Sequence, residues 1–239
     1  MADIRNIVVL TGAGISAESG VPVFRGPDGL WEGHRVEDVA TPEAFARDPD
    51  LVLDFYDQRR ANLARVEPNA AHHALGRLDA EWGGELLIVT QNVDDLHERG
   101  GAKRLLHMHG ELRSARCRAC DARMPWEGPM LRPNGDVRPA CPSCASRGYI
   151  RPDIVWFGEM PYSIEAIEAA LAACDLFVSI GTSGAVYPAA GFVQTASYHG
   201  ARTLELNLDP SDGSIFFDES RMGRAGELVP DWVDEVLAG

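Results

Sequence analysis

Four cysteines stand in two short pairs, Cys117-x2-Cys120 and, twenty residues on, Cys141-x2-Cys144. Each pair can bite one metal ion from a turn, and four thiolates complete a tetrahedron, so the chemistry offered is structural zinc binding with no open position for catalysis. Such a set carries a net charge of about −2, which Arg116, Arg118 and Arg123 are placed to offset. Free or disulfide-bonded cysteines are the competing reading, weakened by the spacing and by a reducing compartment. Cys174 sits in an apolar helical context and reads as a small buried hydrophobe.

Three other segments offer reactive or ligand-binding groups. Gly12-x-Gly14-x-x-Ala17, inside TGAGISAESG, has the glycine spacing that lets backbone amides and a helix N-terminus approach a pyrophosphate. A tight strand-to-helix turn without a ligand is an equal alternative, because no acidic residue clearly ends a second strand about twenty residues on, as the ordinary dinucleotide fingerprint requires. His107 and His109 would face one side of an extended segment. They read as a metal-binding pair, as satisfied structural histidines, or, for His109 beside Gly110, as a general base titrating near neutral pH. Gln91, Asn92, Asp94 and Asp95 present amides and carboxylates just after an apolar run, where capping a helix is the simpler use for any one of them.

These groups need a scaffold that brings distant segments to one edge. Ile7 to Leu10, Leu86 to Val89, Leu176 to Ile180 and Thr203 to Leu206 are short apolar runs that stop abruptly at Thr11-Gly12, Thr90-Gln91-Asn92, Gly181-Thr182-Ser183 and Asn207. They read as buried parallel strands. Helical patterns lie between them: Thr41 caps a helix with Pro42 at its first position, Asn69 caps another bearing Ala71, Leu75 and Leu78, and Ser163 precedes Ile164 to Ala173. The alternation predicts an α/β fold, an open doubly wound parallel sheet whose ligands bind beyond the carboxyl ends of the strands, where the glycine, amide and hydroxyl residues fall. From Cys117 to about Arg147 the rhythm breaks into Cys, Pro, Arg and Gly, the mark of an inserted small module.

Composition narrows the partners. With 239 residues, 45% hydrophobic and 24% charged, the chain has the make-up of an ordinary globular protein, which excludes disordered and fibrous classes. A net charge of −14 repels nucleic-acid phosphates and anionic lipid heads, so neither is an expected partner, whereas a basic protein segment is electrostatically acceptable. Leu176 to His199 is the longest uncharged stretch, and its glycines, proline and hydroxyls argue against a membrane span. The first residues carry only a short apolar run, so no secretory signal is read and a cytoplasmic location is expected. Oligomeric state is left open.

Taken together, GAGISAESGVPVFRGPDGLW, TQNVDDLH, HMHGEL, the paired CxxC, RPDIVWFGEMP, GTSGAVYPAAGF and Asn207 resemble the sirtuins, the NAD-dependent protein lysine deacylases, in order over nearly the whole chain. FYDQRR carries a Tyr-x-x-Arg pattern at Tyr56 and Arg59 similar to bacterial sirtuins and to the mitochondrial type that removes acidic acyl groups. Residues three apart on a helix over Asp50 to Val66 share a face, so this phenol and guanidinium can meet one carboxylate. The resemblance implies a Rossmann-like domain over 1–30, 80–110 and 150–239. It also implies a small domain made of a helical insertion at 31–79 and a zinc module at 111–149, with structural zinc on Cys117, Cys120, Cys141 and Cys144.

By the same resemblance, NAD is consumed in a cleft lined by Gly12, Ala13, Gly14, Glu18, Phe24, Arg25 and Trp31. Gln91, Asn92 and Asp94 surround nicotinamide and its ribose, Gly181, Thr182 and Ser183 hold phosphates or the adenosine ribose, and Asn207 and Ala225 flank the adenosine. Tyr56 and Arg59 would take the acyl group. Val155, Trp156, Phe157, Gly158 and Glu159 would hold an acyl-lysine peptide as an added strand. His109 matches the catalytic histidine, which would activate a ribose hydroxyl after the acyl oxygen has displaced nicotinamide. Products would be lysine, nicotinamide and O-acyl-ADP-ribose. A departure is Pro27, where acidic-acyl sirtuins commonly carry alanine. A deacetylase with structural Tyr56 and Arg59, a zinc-ribbon binding module and a hydride-transferring dehydrogenase are the alternatives; the missing acidic ribose reader disfavours the last.

Overall fold

A computed structural model describes residues 4–23, 30–31, 33–131 and 139–239, with the backbone alone for Leu30 and Trp31. Phe24, Arg25 and Pro27 lie outside the described residues, as does the side chain of Trp31. In chain order the strands are β1 (Asn6–Thr11), β2 (Leu30–Trp31), β3 (His34–Arg35), β4 (Glu85–Thr90), β5 (Leu105–His107), β6 (Gly110–Cys117), β7 (Arg123–Pro125), β8 (Ile150–Ile154), β9 (Leu176–Ile180), β10 (Arg202–Asn207) and β11 (Glu219–Met222). The α-helices are α1 (Val36–Val39), α2 (Pro42–Arg47), α3 (Pro49–Leu63), α4 (Ala70–Glu81), α5 (Leu96–Arg99), α6 (Ile164–Ala173), α7 (Phe192–Tyr198) and α8 (Ala225–Ala238).

Six strands form a sheet in the order β11-β10-β9-β1-β4-β5, with every pair parallel. The order reverses between β9 and β1, the switch point at which an open α/β sheet leaves a crevice. Strand alternation distributes the core over both faces: Ile7 and Val9 of β1 join Leu75 and Leu78 of α4 and Trp232 of α8, while Val8 and Leu10 join Leu171 of α6 and Phe192 of α7. This is the doubly wound, Rossmann-like arrangement expected. Cys174 is buried, and its thiol donates to Leu171 O at 3.3 Å.

The small sheet, β7-β6-β8, is antiparallel. Its apolar residues Leu112, Ala115 and Ile150 share a core with Val39, Phe45, Val52 and Tyr56 of α1, α2 and α3, and with Cys117 and Cys141. Asp57 ties helix to module: its Oδ2 accepts from Met130 N and Leu131 N at 2.8 and 2.7 Å, and its Oδ1 accepts from Arg60 Nη1 at 2.5 Å.

Two expected boundaries move. The resemblance implies a helical insertion over 31–79, but Ala71, Leu75 and Leu78 of α4 pack in the core of the large sheet, so the insertion ends before Asn69. It implies a large domain that resumes at 150, but β8 pairs with β6 and Ile150, Ile154 and Trp156 belong to the small core. Local patterning marks helices and strands without saying which face they cover. The caps at Thr41 and Asn69 form as expected, accepting from Ala44 N and Ala71 N at 3.0 Å each. Ser163 precedes α6 in a left-handed conformation and makes no side-chain cap.

Candidate active site

The carboxyl ends of β1, β4, β9 and β10 open into a cleft of about 970 Å³ that is closed on its far side by the small sheet and α3. Its floor is built from backbone packed on backbone. Gly12 N donates to Ile180 O at 3.0 Å and Gly14 N to Gly181 O at 2.8 Å. A Cβ on either glycine would stand 2.7 Å from the Gly181 backbone, which is why this turn tolerates no side chain at those positions.

The cleft gathers Gly12, Ala13, Gly14, Glu18, Gln91, Asn92, Asp94, Gly181, Thr182, Ser183, Asn207 and Ala225 from five separate chain segments, together with His109, Tyr56, Val155, Phe157, Gly158 and Glu159. Glu18 accepts from Gly226 N at 2.8 Å, placing a carboxylate at the N-terminus of α8. Asn207 donates from Nδ2 to Thr182 O at 2.7 Å, coupling the ends of β10 and β9.

His109 lies where the chain leaves the large sheet for the small one. Its Nδ1 is 3.2 Å from Gln91 O, and since a carbonyl only accepts, Nδ1 carries the proton and Nε2 is the basic atom. Burial depresses its pKa against the weaker upward pull of the Gln91 carbonyl, so the ring is neutral near pH 7. His107, expected on the same side, also uses Nδ1, 3.0 Å from Asn92 O, but its Nε2 meets Glu98 Oε1 at 2.8 Å. There burial works downward and is overcome by Glu98, so the pKa is raised.

Beside the His109 ring, Val155 N donates to His109 O at 2.9 Å and Phe157 N to Ala40 O at 3.0 Å. Glu159 does not stand free in the cleft. It holds Arg151 Nη1 and Nη2 at 2.7 and 2.8 Å and accepts from Trp156 N at 2.9 Å, fixing the turn through Phe157 and Gly158. Arg151 lies 3.4 Å over the Trp156 ring, and Trp156 Nε1 donates to Tyr56 Oη at 3.0 Å. Burial pushes the Tyr56 phenol above its usual range and keeps it neutral.

Tyr56 lines the cleft and Arg59, one turn on, is not among its lining residues. Arg59 is buried against its own helix, with Nη1 donating to Phe55 O at 2.6 Å and the guanidinium 3.1 Å over the Phe55 ring.

Behind the floor runs a buried polar network not legible in the sequence. Asn69 N donates to His72 Nδ1 at 3.3 Å, so His72 Nε2 donates to Ser16 Oγ, also 3.3 Å away. Ser16 accepts from Asn92 Nδ2 at 3.1 Å and donates to Asp94 Oδ2 at 3.0 Å. His97 Nε2 lies 2.9 Å from Thr11 Oγ1, which donates to Thr90 Oγ1 at 2.8 Å. Burial lowers the pKa of His72 to about 4, drives that of His97 well below the ordinary range, and raises that of Asp94. Neutral His72 thus holds Asn92 and Asp94 in place from behind, through Ser16. The signal in the sequence was a serine and a histidine inside otherwise apolar stretches.

The four cysteines converge as their spacing predicts: Cys117 Sγ is 3.8 Å from Cys144 Sγ and Cys120 Sγ 3.7 Å from Cys141 Sγ. A tetrahedron with Zn–S bonds of about 2.3 Å has edges of about 3.8 Å, so the cluster fits zinc. All four ligand positions are filled by sulfur, and the metal serves the fold.

Compared with known proteins, residues 12–188 match the model of the Sir2 family. The chain is 58% identical over 236 residues to the NAD-dependent protein deacylase of Vibrio vulnificus strain YJ016, spanning 98% of this chain and 94% of the relative. To the NAD-dependent protein deacylase of Caulobacter vibrioides it is 54% identical over 241 residues, spanning 100% and 99%. Among solved structures it resembles a Sir2 homologue in complex with NAD, with a TM-score of 0.88 and 38% identity over 98% of this chain and 90% of the other. It also resembles a Sir2 variant holding a deacetylated p53 peptide and 3′-O-acetyl ADP-ribose, with a TM-score of 0.84 and 28% identity over 98% and 95%.

Proposed function

The chain belongs to the Sir2 family and is an NAD-dependent protein deacylase, and on that premise we propose that His109 is the base that takes a proton from a ribose hydroxyl after the acyl oxygen has displaced nicotinamide, so that the acyl group passes from lysine to the ribose. One observation carries the assignment: the Gln91 carbonyl holds the Nδ1 proton, and burial keeps the ring neutral, so a cleft residue presents a basic Nε2 at physiological pH.

NAD is the co-substrate, and the cleft suits it because glycine backbone, amide and hydroxyl groups converge at the sheet's switch point. Gln91, Asn92 and Asp94 take the nicotinamide side. Gly181, Thr182 and Ser183 take the phosphates or the adenosine ribose, and Asn207 and Ala225 the adenosine end. Gly12, Ala13, Gly14 and Glu18 form the floor, with Phe24, Arg25 and Trp31 contributing from the adjoining segment. Val155, Phe157 and Gly158 pair with the backbone of an acylated protein or peptide, and Glu159 sets their turn through Arg151. Tyr56 and Arg59 read the acyl group, selecting malonyl or succinyl lysine. A cytoplasmic location belongs to this reading, since zinc-binding thiolates persist in a reducing compartment.

A second reading, deacetylation alone, is favoured by the packing of Arg59 on its own Phe55 ring and carbonyl. Incubation with NAD and acetyl-, malonyl- or succinyl-lysine peptides separates the two. Nicotinamide release with all three supports the acidic-acyl reading; release with the acetyl peptide alone leaves the deacetylase. No release with any peptide overturns both.

A further inference from the structure

Outside the cleft and the cysteine cluster, a second group of metal-ligating side chains stands on the outer edge of the large sheet. Glu98 lies in α5, His107 ends β5 and Glu111 lies at the start of β6, and one ligand atom from each falls within 4.8 Å of the others. We propose that Glu98, His107 and Glu111 form a second divalent-cation site, for Zn²⁺, distinct from the four-cysteine cluster.

Three features support it. The first is ligand chemistry: one imidazole with two carboxylates suits a borderline first-row cation such as zinc, and three protein ligands leave positions for water. Orientation is the second. His107 Nδ1 is 3.0 Å from Asn92 O, so it carries a proton and the ring turns Nε2 toward Glu98 Oε1, 2.8 Å away. A metal-bound histidine characteristically donates its other ring N–H to a backbone carbonyl, which fixes tautomer and ring plane before the ion arrives.

Access is the third. His107, Glu98 and Glu111 all line one open surface pocket, and both carboxylates are exposed. Lys103, Arg113 and Arg123 border the same pocket, but Arg113 is engaged by Asp95 Oδ2 at 2.5 Å, and Arg123 lies 3.6 Å from Asp153 Oδ2 and 3.9 Å over the Tyr162 ring.

In the metal-free protein a proton on Nε2 occupies the place beside Glu98. Binding releases that proton to solvent and forms the Nε2–Zn bond, with no change of oxidation state. The site reports to the cleft through one residue, because the carbonyl that orients His107 belongs to Asn92, whose side chain holds Ser16. An occupied site would restrain that loop from its outer side.

Equilibrium dialysis of the full chain, already carrying its cysteine-bound zinc, against micromolar Zn²⁺ tests the proposal by metal counting alone. Two zinc ions per chain are expected. Glu111→Gln, at an exposed position, and His107→Gln should each weaken the second by about ten- to a hundred-fold while the first stays bound. A stoichiometry of one throughout, or a second zinc that both variants retain, overturns the assignment and leaves an ordinary Glu98–His107 ion pair.

Discussion

His107 and His109 hang their Nδ1 atoms on successive carbonyls of one loop, Asn92 O and Gln91 O, at 3.0 and 3.2 Å. The shared anchor has opposite outcomes because the far nitrogens differ in company: Glu98 holds a proton on His107, whereas burial denies one to His109. On either side of the buried Met108, the two rings are thus pushed in opposite directions, His107 toward holding its proton and His109 toward losing it.

His109→Ala is therefore expected to lower deacylation by about 10²–10⁴ while zinc content and fold are kept. Formation of deacylated peptide and O-acyl-ADP-ribose under single-turnover conditions is the measurement, because nicotinamide leaves before the base acts, and product formation near that of the parent would refute the base. The depressed pKa adds a direction: the acid limb of kcat/KM against pH should lie below the usual histidine range, because Nε2 stays unprotonated to lower pH. An acid limb at or above 6.5 would contradict it.

Arg59→Met separates the two acyl readings. A charged hydrogen bond to a substrate carboxylate contributes roughly 1.5–3 kcal/mol, so succinyl-peptide kcat/KM should fall about ten- to a hundred-fold, with a much smaller change for the acetyl peptide. Equal losses on both substrates would assign Arg59 to packing against Phe55.

Cys141→Ser should remove the zinc of the four-cysteine cluster, one ion per chain, and lower Tm, since a structural zinc site contributes its binding energy to folding. Cys141 shares a core with Tyr56 and Trp156, so the acyl wall should loosen together with the module. Metal analysis and thermal unfolding of the same preparation check both. Retained zinc with unchanged Tm would remove the cluster's structural role.

Buried His72 gives stability a pH dependence of known sign. Its folded pKa, about 4, lies below the unfolded value of 6.5, so the unfolded chain binds more protons between the two. Stability then rises with pH across that window, by roughly 3 kcal/mol from this residue, and is lost as pH falls. Buried Asp94 and the Glu98-paired His107, with raised values, act in the opposite sense. The clean readout is thus a difference: in His72→Gln the slope of unfolding free energy against pH between 4 and 6.5 should fall by about one proton. An unchanged slope would show that His72 does not titrate there.

The large sheet is legible because its strands are short apolar runs cut off by glycine, amide or hydroxyl residues, and such interruptions mark both a strand end and a ligand edge. The zinc ligands are legible because a tetrahedral ion dictates their spacing. The small sheet is harder to read. Strand β8 is Ile-Arg-Pro-Asp-Ile, buried throughout, and its charges are satisfied by partners outside the strand: Arg151 by Glu159, and Asp153 by Ser114 and Tyr162. No local pattern announces a strand whose interior polar groups find partners only after folding. The Ser16–His72–Asp94 network is hidden for the same reason, as is the allegiance of α4, which an amphipathic pattern cannot assign to one core or the other.

Between the two sheets the polypeptide crosses outward at His109–Gly110 and returns alongside at Ile154–Val155, locked by the bond from Val155 N to His109 O. A Cβ on Gly110 would stand 1.9 Å from Asp153 O, so the two crossings are pressed together with no room for slip. Mechanically this is a double-stranded joint with the base mounted on it. The Gln91 carbonyl pins His109 to the large sheet, and Val155 N pins the returning strand to His109, so the zinc-bearing lobe is hinged at the residue that both domains hold.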